Sequence, residues 1–347
     1  MNNQQIKSPN LLENEKHRHL SSQMIRIFIL LGATILMFAA QCIKAPNILV
    51  NGASVYNYLI RTIMGIESVA IIAVGVTFVI IAGNNDMSTA SLYQFSAVMA
   101  CTITARLNES CGPVGASLLA IVLPLLTGLL VGIVNGWLVG TMHLNSFVGT
   151  LGMSYTIQGI NVLFNGGRTA NASKLPLFRF IGQYRLFGNF PFAVVLLFVL
   201  IIVFGLILSR TVFGRKVYAV GGNSTAAQFS GINSRKVVMA TYMISGCMAA
   251  IAGIFVASWT STGDMLMGQS KEFNAINTVV LGGSLLSGGV GSMAGTAVAA
   301  LFLGMLEMFY TQFNISDMAQ WFFRGLLMLA VIFINGLLER PSKGGKS

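Results

Sequence analysis

Charge is what this sequence lacks most. Only 9% of its 347 residues are Asp, Glu, Lys or Arg, against roughly 25% in a soluble domain, so a fold that faces water on all sides is excluded. Proline is sparse too, at 7 residues, and no Pro-rich or Ser-rich linker divides the chain. One integral membrane domain is therefore expected rather than two soluble ones. The four cysteines (Cys42, Cys101, Cys111 and Cys247) stand in or beside apolar runs without metal or redox spacing, and all four read as packing residues. The three histidines (His17, His19, His143) form no ligand set, and no metal is expected. A nucleotide loop is missing as well. The chain ends RPSKGGKS, but Arg340 stands where a phosphate loop needs its first glycine, and no strand precedes it. No Ser/His pair, paired aspartates or His/Glu set is visible inside the apolar runs, so no catalytic residue is expected and the chain is not read as an enzyme.

What is present is hydrophobic: 54% of the residues. Runs able to cross a hydrocarbon core of about 30 Å recur at 25–43, 66–83, 88–105, 112–140, 144–164, 190–208, 237–257, 274–288, 290–311 and 321–338. The fold class expected is all-α, a polytopic membrane protein of about ten transmembrane helices, some of them broken or re-entrant. Segment 50–65 is mixed in character and reads as an interfacial helix leading into the second span. The first run is too long for a signal peptide core and reads as a retained helix. That leaves 1–24 as a basic tail, 25–338 as the membrane domain and 339–347 as a second tail.

Lys and Arg outnumber Asp and Glu by 21 to 10, and they cluster between apolar runs, as loops on the cytoplasmic side do. The loop 209–236 carries Arg210, Arg215, Lys216, Arg235 and Lys236, and the C-terminal tail carries Arg340, Lys343 and Lys346. Both are assigned to the cytoplasm together with the N-terminus. The loop 165–189, with Arg168, Lys174, Arg179 and Arg185, falls on the opposite side and is the one discordant segment.

Two patterns point beyond topology. In TGLLVGIVNGWLVGT, Gly128, Gly132, Gly136 and Gly140 recur every fourth residue, which leaves one helix face bare for close packing. Asn135 beside that groove either lines a polar path or bonds across the interface. In SRTVFGRKVYAVGGNSTAAQFSGINSRKV, the segment STAAQFSGI has length for only a short helix. Asn223 or Ser224 can cap its start and Gly231 its end. Ala226 and Ala227 would give it a smooth face for docking on another protein; an ordinary loop is the other reading.

This loop resembles the cytoplasmic coupling loop of the ribose/simple-sugar permeases of bacterial ATP-binding-cassette (ABC) importers. The family pattern Gly-Arg-x-x-x-Ala-x-Gly-Gly-Asn-x-x-Ala-Ala-x-x-x-Gly-Ile is met by Gly214, Arg215, Ala219, Gly221, Gly222, Asn223, Ala226, Ala227, Gly231 and Ile232. TAAQFSG also resembles the wider importer motif Glu-Ala-Ala-x-x-x-Gly, with Thr225 in place of the Glu. Matches such as NSFVGTLGMSYTIQGINVLFNGG and FNAINTVVLGGSLLSGGVGSMAGT extend the resemblance over roughly residues 50–338. It implies a permease subunit of the bacterial inner membrane that forms the path for a monosaccharide or related small polar solute. ATP and Mg would be used by separate ATPase subunits, and no cofactor would be bound by this chain. A periplasmic sugar-binding protein would deliver the solute, and a second permease subunit, identical or a paralogue, would complete the path. Nucleic acid has no part. Gly214, Arg215, Gly222, Asn223, Ala226, Ala227, Gly231 and Ile232 would serve the ATPase-coupling loop. The rival class is an ion- or proton-coupled secondary transporter. It calls for an internal repeat with matched polar breaks, and the break at 83–91 has no partner in the sequence.

Ionisable groups inside the apolar runs are few and functional by default. Glu67 reads as lying near an interface. Glu307 and Arg324 fall at matching depth on successive helices, where they either pair or snorkel to the headgroups. In GNNDMSTAS, Gly83, Asp86, Ser88 and Ser91 keep the family's Gly-Gly-Ile-Asp-Leu-Ser-x-Gly-Ser, while Asn84, Asn85 and Ala90 depart from it. Asp86 reads either as the cap of the next helix, accepting from Ser88 or Thr89, or as part of a polar path with Asn84, Asn85, Ser88 and Asn135. The two roles are compatible, and the two asparagines are the place where selectivity would change.

Overall fold

Helices propagate until something stops them, so hydropathy alone sets their ends loosely. The computed structural model describes residues 9–172, 175–186 and 190–339. In chain order the elements are α1 (Pro9–Lys44), a 3₁₀ turn (Pro46–Leu49), α2 (Gly52–Ile81), α3 (Thr89–Arg106), α4 (Asn108–Gly140) and α5 (Ser146–Asn165). Then come β1 (Ala170–Asn171), α6 (Pro176–Gln183), β2 (Arg185–Leu186), β3 (Phe190–Pro191), α7 (Phe192–Arg210), α8 (Val212–Gly222) and α9 (Ser224–Phe229). The chain closes with α10 (Ser234–Thr260), β4 (Thr262–Gly263), α11 (Lys271–Leu281), α12 (Met293–Gln312) and α13 (Asp317–Glu339). The strands form two antiparallel two-residue ladders, β1 with β4 and β2 with β3.

Several expected boundaries move. Residues 9–24, read as part of a tail, are helical and run on into α1, whose membrane-length part begins at Met24, while 1–8 and 340–347 lie outside the described residues. Segment 50–65 is not a separate interfacial helix but the first half of α2. Asn51 starts that helix by accepting from the Ser54 amide at 2.8 Å, and no proline or cap interrupts it before Ala82. Polar side chains such as Asn57, Arg61 and Thr62 lower the local hydropathy without breaking the helix. Glu67 is consequently fifteen residues into α2, not at the start of the span as expected, and only 2% exposed. Cys111 is exposed, so it is not the packing residue expected, whereas Cys42 and Cys101 are buried.

Six helices are long and apolar enough to cross a membrane by length and composition: α1 from Met24, α2, α4, α7, α10 and α12. The others in the expected ten are of different character. α3 and α5 are shorter or more polar, and α11 has 11 residues, a rise of about 16 Å or half a bilayer core. The stretch expected to form one span at 274–288 is thus a half-helix followed by a turn, in which Gly283, Gly288 and Gly289 take positive φ.

α2 is the central post. From Val69 to Ile81 every residue is buried, because α7, α10, α11 and α12 all pack on it, and a helix enclosed on all sides is apolar all round. The tightest seam joins α4 to α10 in antiparallel register. A Cβ placed on Gly128, Gly132, Gly136 or Gly140 would meet, in turn, the Gly246 carbonyl oxygen at 2.6 Å, that of Tyr242 at 2.5 Å, Met239 Cα at 2.5 Å and the Arg235 carbonyl oxygen at 3.2 Å. The four-residue glycine spacing therefore produces backbone-to-backbone packing over three turns of helix.

The bundle has two distinct ends. One carries α8, α9 and the turns at 82–88, 141–145 and 282–292. The other carries α6 and both β ladders, with the Gly182 amide donating to Ser258 Oγ at 2.8 Å.

Candidate functional site

At the α8–α9 end the chain builds a small projecting module. Thr211 caps α8 by accepting from the Gly214 amide at 3.2 Å. Asn223 ends α8 and starts α9, its side chain accepting from the Ala226 amide at 2.9 Å. Gly231 closes the module at φ +79°, where only glycine turns without strain, and the Ile232 amide returns to the Ala227 carbonyl at 3.0 Å. Of the coupling-loop residues read from sequence, Asn223, Ala226, Ala227, Gly231 and Ile232 gather here. Gly214 and Arg215 sit at the far end of α8, about 12 Å of helix from Gly222.

The two alanines part company. Ala226 is exposed, but Ala227 is 4% exposed and belongs to the bundle's own core. The expectation that both form an outward docking face is corrected: a six-residue helix turns one side inward, and Ala227 is on it. The outward side instead carries Phe229, which is 90% exposed. Sequence reading passed over this residue, although an aromatic amid Ser, Thr, Ala and Gln is the signal that could have marked it.

The module is locked to the bundle through glycines. A Cβ on Gly221 would run into the Ile81 carbonyl oxygen, and one on Gly288 would lie 2.7 Å from Gly83 Cα and 2.8 Å from the Gly221 carbonyl oxygen. The end of α8, the end of α2 and the 282–292 turn thus cross backbone to backbone. Beside them is a cavity of about 420 Å³ lined by Asn84, His143, Asn223, Gln228, Arg235 and Ser287 among others.

The chain then climbs back into the bundle at Asn85–Ser88, and its backbone groups must find partners there. They come from α5 and α10. The Asn85 amide donates to Ser146 Oγ at 3.2 Å, its carbonyl accepts from the Tyr242 hydroxyl at 2.7 Å, and the Met87 amide donates to Thr150 Oγ1 at 2.9 Å. Asp86 is 1% exposed. Its Oδ1 accepts from the Ser88 amide at 3.0 Å and from Ser88 Oγ at 2.6 Å, and its Oδ2 accepts from Ser245 Oγ at 2.7 Å. Asn135 Nδ2 donates to Ser88 Oγ at 2.8 Å. Asp86, Ser88 and Asn135 are thereby joined in one knot linking α3, α4 and α10. Both oxygens of Asp86 are engaged within the protein, and of the two asparagines it is Asn84 that lines the cavity. Ser146, Thr150, Tyr242 and Ser245 were missed from sequence, since partners 61 to 159 residues away leave no local signal.

Elsewhere, Arg324 Nη2 lies 3.2 Å from Glu307 Oε1, with each side chain about one-third exposed. α12 and α13 are therefore tied by an ion pair.

A mainly helical bundle with a broken helix sealed by side-chain hydroxyls, cavities at both ends and a short capped helix projecting from one end defines a membrane transport subunit. The comparisons carry this to a family. The family described as branched-chain amino acid transport system / permease component matches residues 58–332, and the chain belongs to it. Among curated relatives, the L-arabinose ABC transporter permease protein of Azospirillum brasilense is 30% identical over 320 residues, 90% of this chain and 86% of the relative. The ribose import permease protein of Haemophilus influenzae is 34% identical over 280 residues, 78% of this chain and 82% of its own length. An inner membrane ABC transporter permease protein of Escherichia coli (strain K12) is 34% identical over 269 residues, 76% and 78% of the two chains. No solved structure matches the chain. As a permease component it is a transport subunit of the bacterial inner membrane, with no ATPase activity of its own.

Proposed function

We propose that this chain is the membrane-spanning permease subunit of an ATP-driven importer of a monosaccharide or related small polar solute. The observation that carries the reading is α9: a capped six-residue helix, anchored inward by Ala227 and presenting Phe229 outward. Residues 209–236 around it contain five basic and no acidic side chains. This bias puts the α8–α9 end in the cytoplasm, where an ATPase subunit would receive α9 in a groove. The Arg26 side chain of α1 lies beside Gly283 of the 282–292 turn, which supports the reading that the start of the first span faces the same side. The ribose and L-arabinose named for two relatives support a sugar as the solute, and the second permease is a further copy or a paralogue.

Closure of the ATPases would push on α9. The glycine crossing of α8 with α2 and the 282–292 turn carries that push to the break at 82–88, and bistable packing converts it into a rigid-body rearrangement. ATP and Mg belong to the partner. The test is reconstitution of the chain with its cognate ATPase and binding protein in proteoliposomes, followed by uptake of labelled monosaccharides. Uptake that needs both ATP and the binding protein is expected. Uptake driven by an ion gradient without ATP would overturn the proposal.

A further inference from the structure

A second polar feature lies in the other half of the bundle and takes no part in the α8–α9 module. α11 begins after Ser270, at φ +62° and with no side-chain cap. Its first residue, Lys271, reaches across to α2, where Nζ donates to Ser68 Oγ at 3.1 Å, and lies 5.3 Å from the centroid of the Tyr93 ring. Next to Ser68, Glu67 is almost wholly buried, and its Oε1 has no hydrogen-bond partner. Glu67, Ser68, Tyr93, Trp259, Met267 and Lys271 line a cavity of about 230 Å³. A second cavity of about 390 Å³ shares Met64, Gly65 and Trp259 with it and continues toward the α6 end past Arg61, Gln183 and Arg185.

A buried carboxyl oxygen without a partner is costly, and here it lines a space large enough to hold something. The space corresponds to roughly eight water volumes, which suits one sugar ring. Its walls offer an acceptor at Glu67, donors at Lys271 and the Ser68 hydroxyl, and an aromatic face at Trp259. That combination matches a neutral polyhydroxylated ring, which brings hydroxyls that both donate and accept and an apolar C–H face that lies on an indole.

We propose that this cavity is a monosaccharide-binding subsite within a single permease subunit, reached from the α6 end. Glu67 and Lys271 hydrogen-bond the sugar hydroxyls and Trp259 stacks on the ring. The inference rests on the proposed role as a sugar importer and adds where in the chain the sugar stops.

The test uses tryptophan fluorescence of the purified full chain in nanodiscs. It is titrated with D-ribose, L-arabinose, D-xylose, D-galactose and D-glucose, and uptake of the same sugars is measured in the reconstituted complex. A saturable fluorescence change with the transported sugar is expected. It should be lost in Trp259→Phe and shifted at least tenfold to higher concentration in Glu67→Gln. Ser68→Ala, which removes one hydroxyl, gives the same direction of shift should Glu67→Gln fail to fold. No saturable change with any of the five, or a change indifferent to these substitutions, in a chain whose complex transports sugar would overturn the subsite and leave the importer reading standing. Absence of uptake of every sugar by the complex would overturn the importer reading itself.

Discussion

Replacing Gly132 by alanine probes the seam on which the whole arrangement depends. The added Cβ would lie 2.5 Å from the Tyr242 carbonyl oxygen, 2.6 Å from Met243 Cα and 2.9 Å from the Met243 nitrogen. All three are backbone atoms of α10, so no rotamer change relieves the clash. To restore ordinary contact near 3.5 Å the helices must part by about 1 Å, a gap that forfeits roughly a quarter to a half of each dispersion contact along the seam. Overpacking of this kind costs about 1–3 kcal/mol. A fall of roughly 2–12 °C in the unfolding midpoint follows, at 2–4 °C per kcal/mol. The matched control is Gly159→Ala on α5, where an added Cβ meets nothing within 4 Å and the expected change is within about 0.5 kcal/mol. Both are read by thermal unfolding of the purified chain in one detergent. Widening the seam also draws Asn135 on α4 away from Ser88, so uptake should fall together with stability. A Gly132→Ala chain as stable as wild type, with Gly159→Ala unchanged, would refute the close-packing argument.

Three further outcomes are expected. Asp86→Asn removes one acceptor from a carboxylate that serves both Ser88 and Ser245 and strands a buried hydroxyl at about 1–3 kcal/mol; unchanged stability in chemical denaturation would contradict its role in the knot. Phe229→Ser should leave stability within about 0.5 kcal/mol while ATP-driven uptake drops, and normal uptake by that variant would remove α9 from coupling. For Glu307 and Arg324, a double-mutant cycle with Glu307→Gln and Arg324→Gln should return a coupling of roughly 0.2–1 kcal/mol, modest because both side chains are partly exposed; strictly additive effects would deny the pair any energetic role.

Composition and periodicity carry much of this protein on their surface. Scarce charge and repeated apolar runs fix a helical membrane bundle, because the hydrocarbon core admits little else. The glycine period of four forecasts a bare helix face, and local chemistry shows Asn223 and Gly231 bounding a short helix. Glu307 and Arg324 are readable as neighbours because successive helices place them at equal depth. Each of these rests on interactions within a few turns of the chain or between consecutive elements.

The remainder is long-range, and only the tertiary structure decided it. Which helix fills the glycine groove, α10, is set by packing between segments about a hundred residues apart. The inward turn of Ala227 and the outward turn of Phe229 depend on how α9 lies on the core, and a six-residue helix is too short for periodicity to reveal its buried side. Asp86 has local partners and a distant one, and its surroundings acquire their meaning only when hydroxyls from α5 and α10 close around the break. Glu67 and Lys271 are ordinary polar residues at the edges of apolar runs until the fold lengthens α2 toward its start and shortens α11 to a half-helix. A membrane sequence declares which segments avoid water, since that is a property of each segment alone. The polar groups that meet in the interior are a property of the assembled bundle.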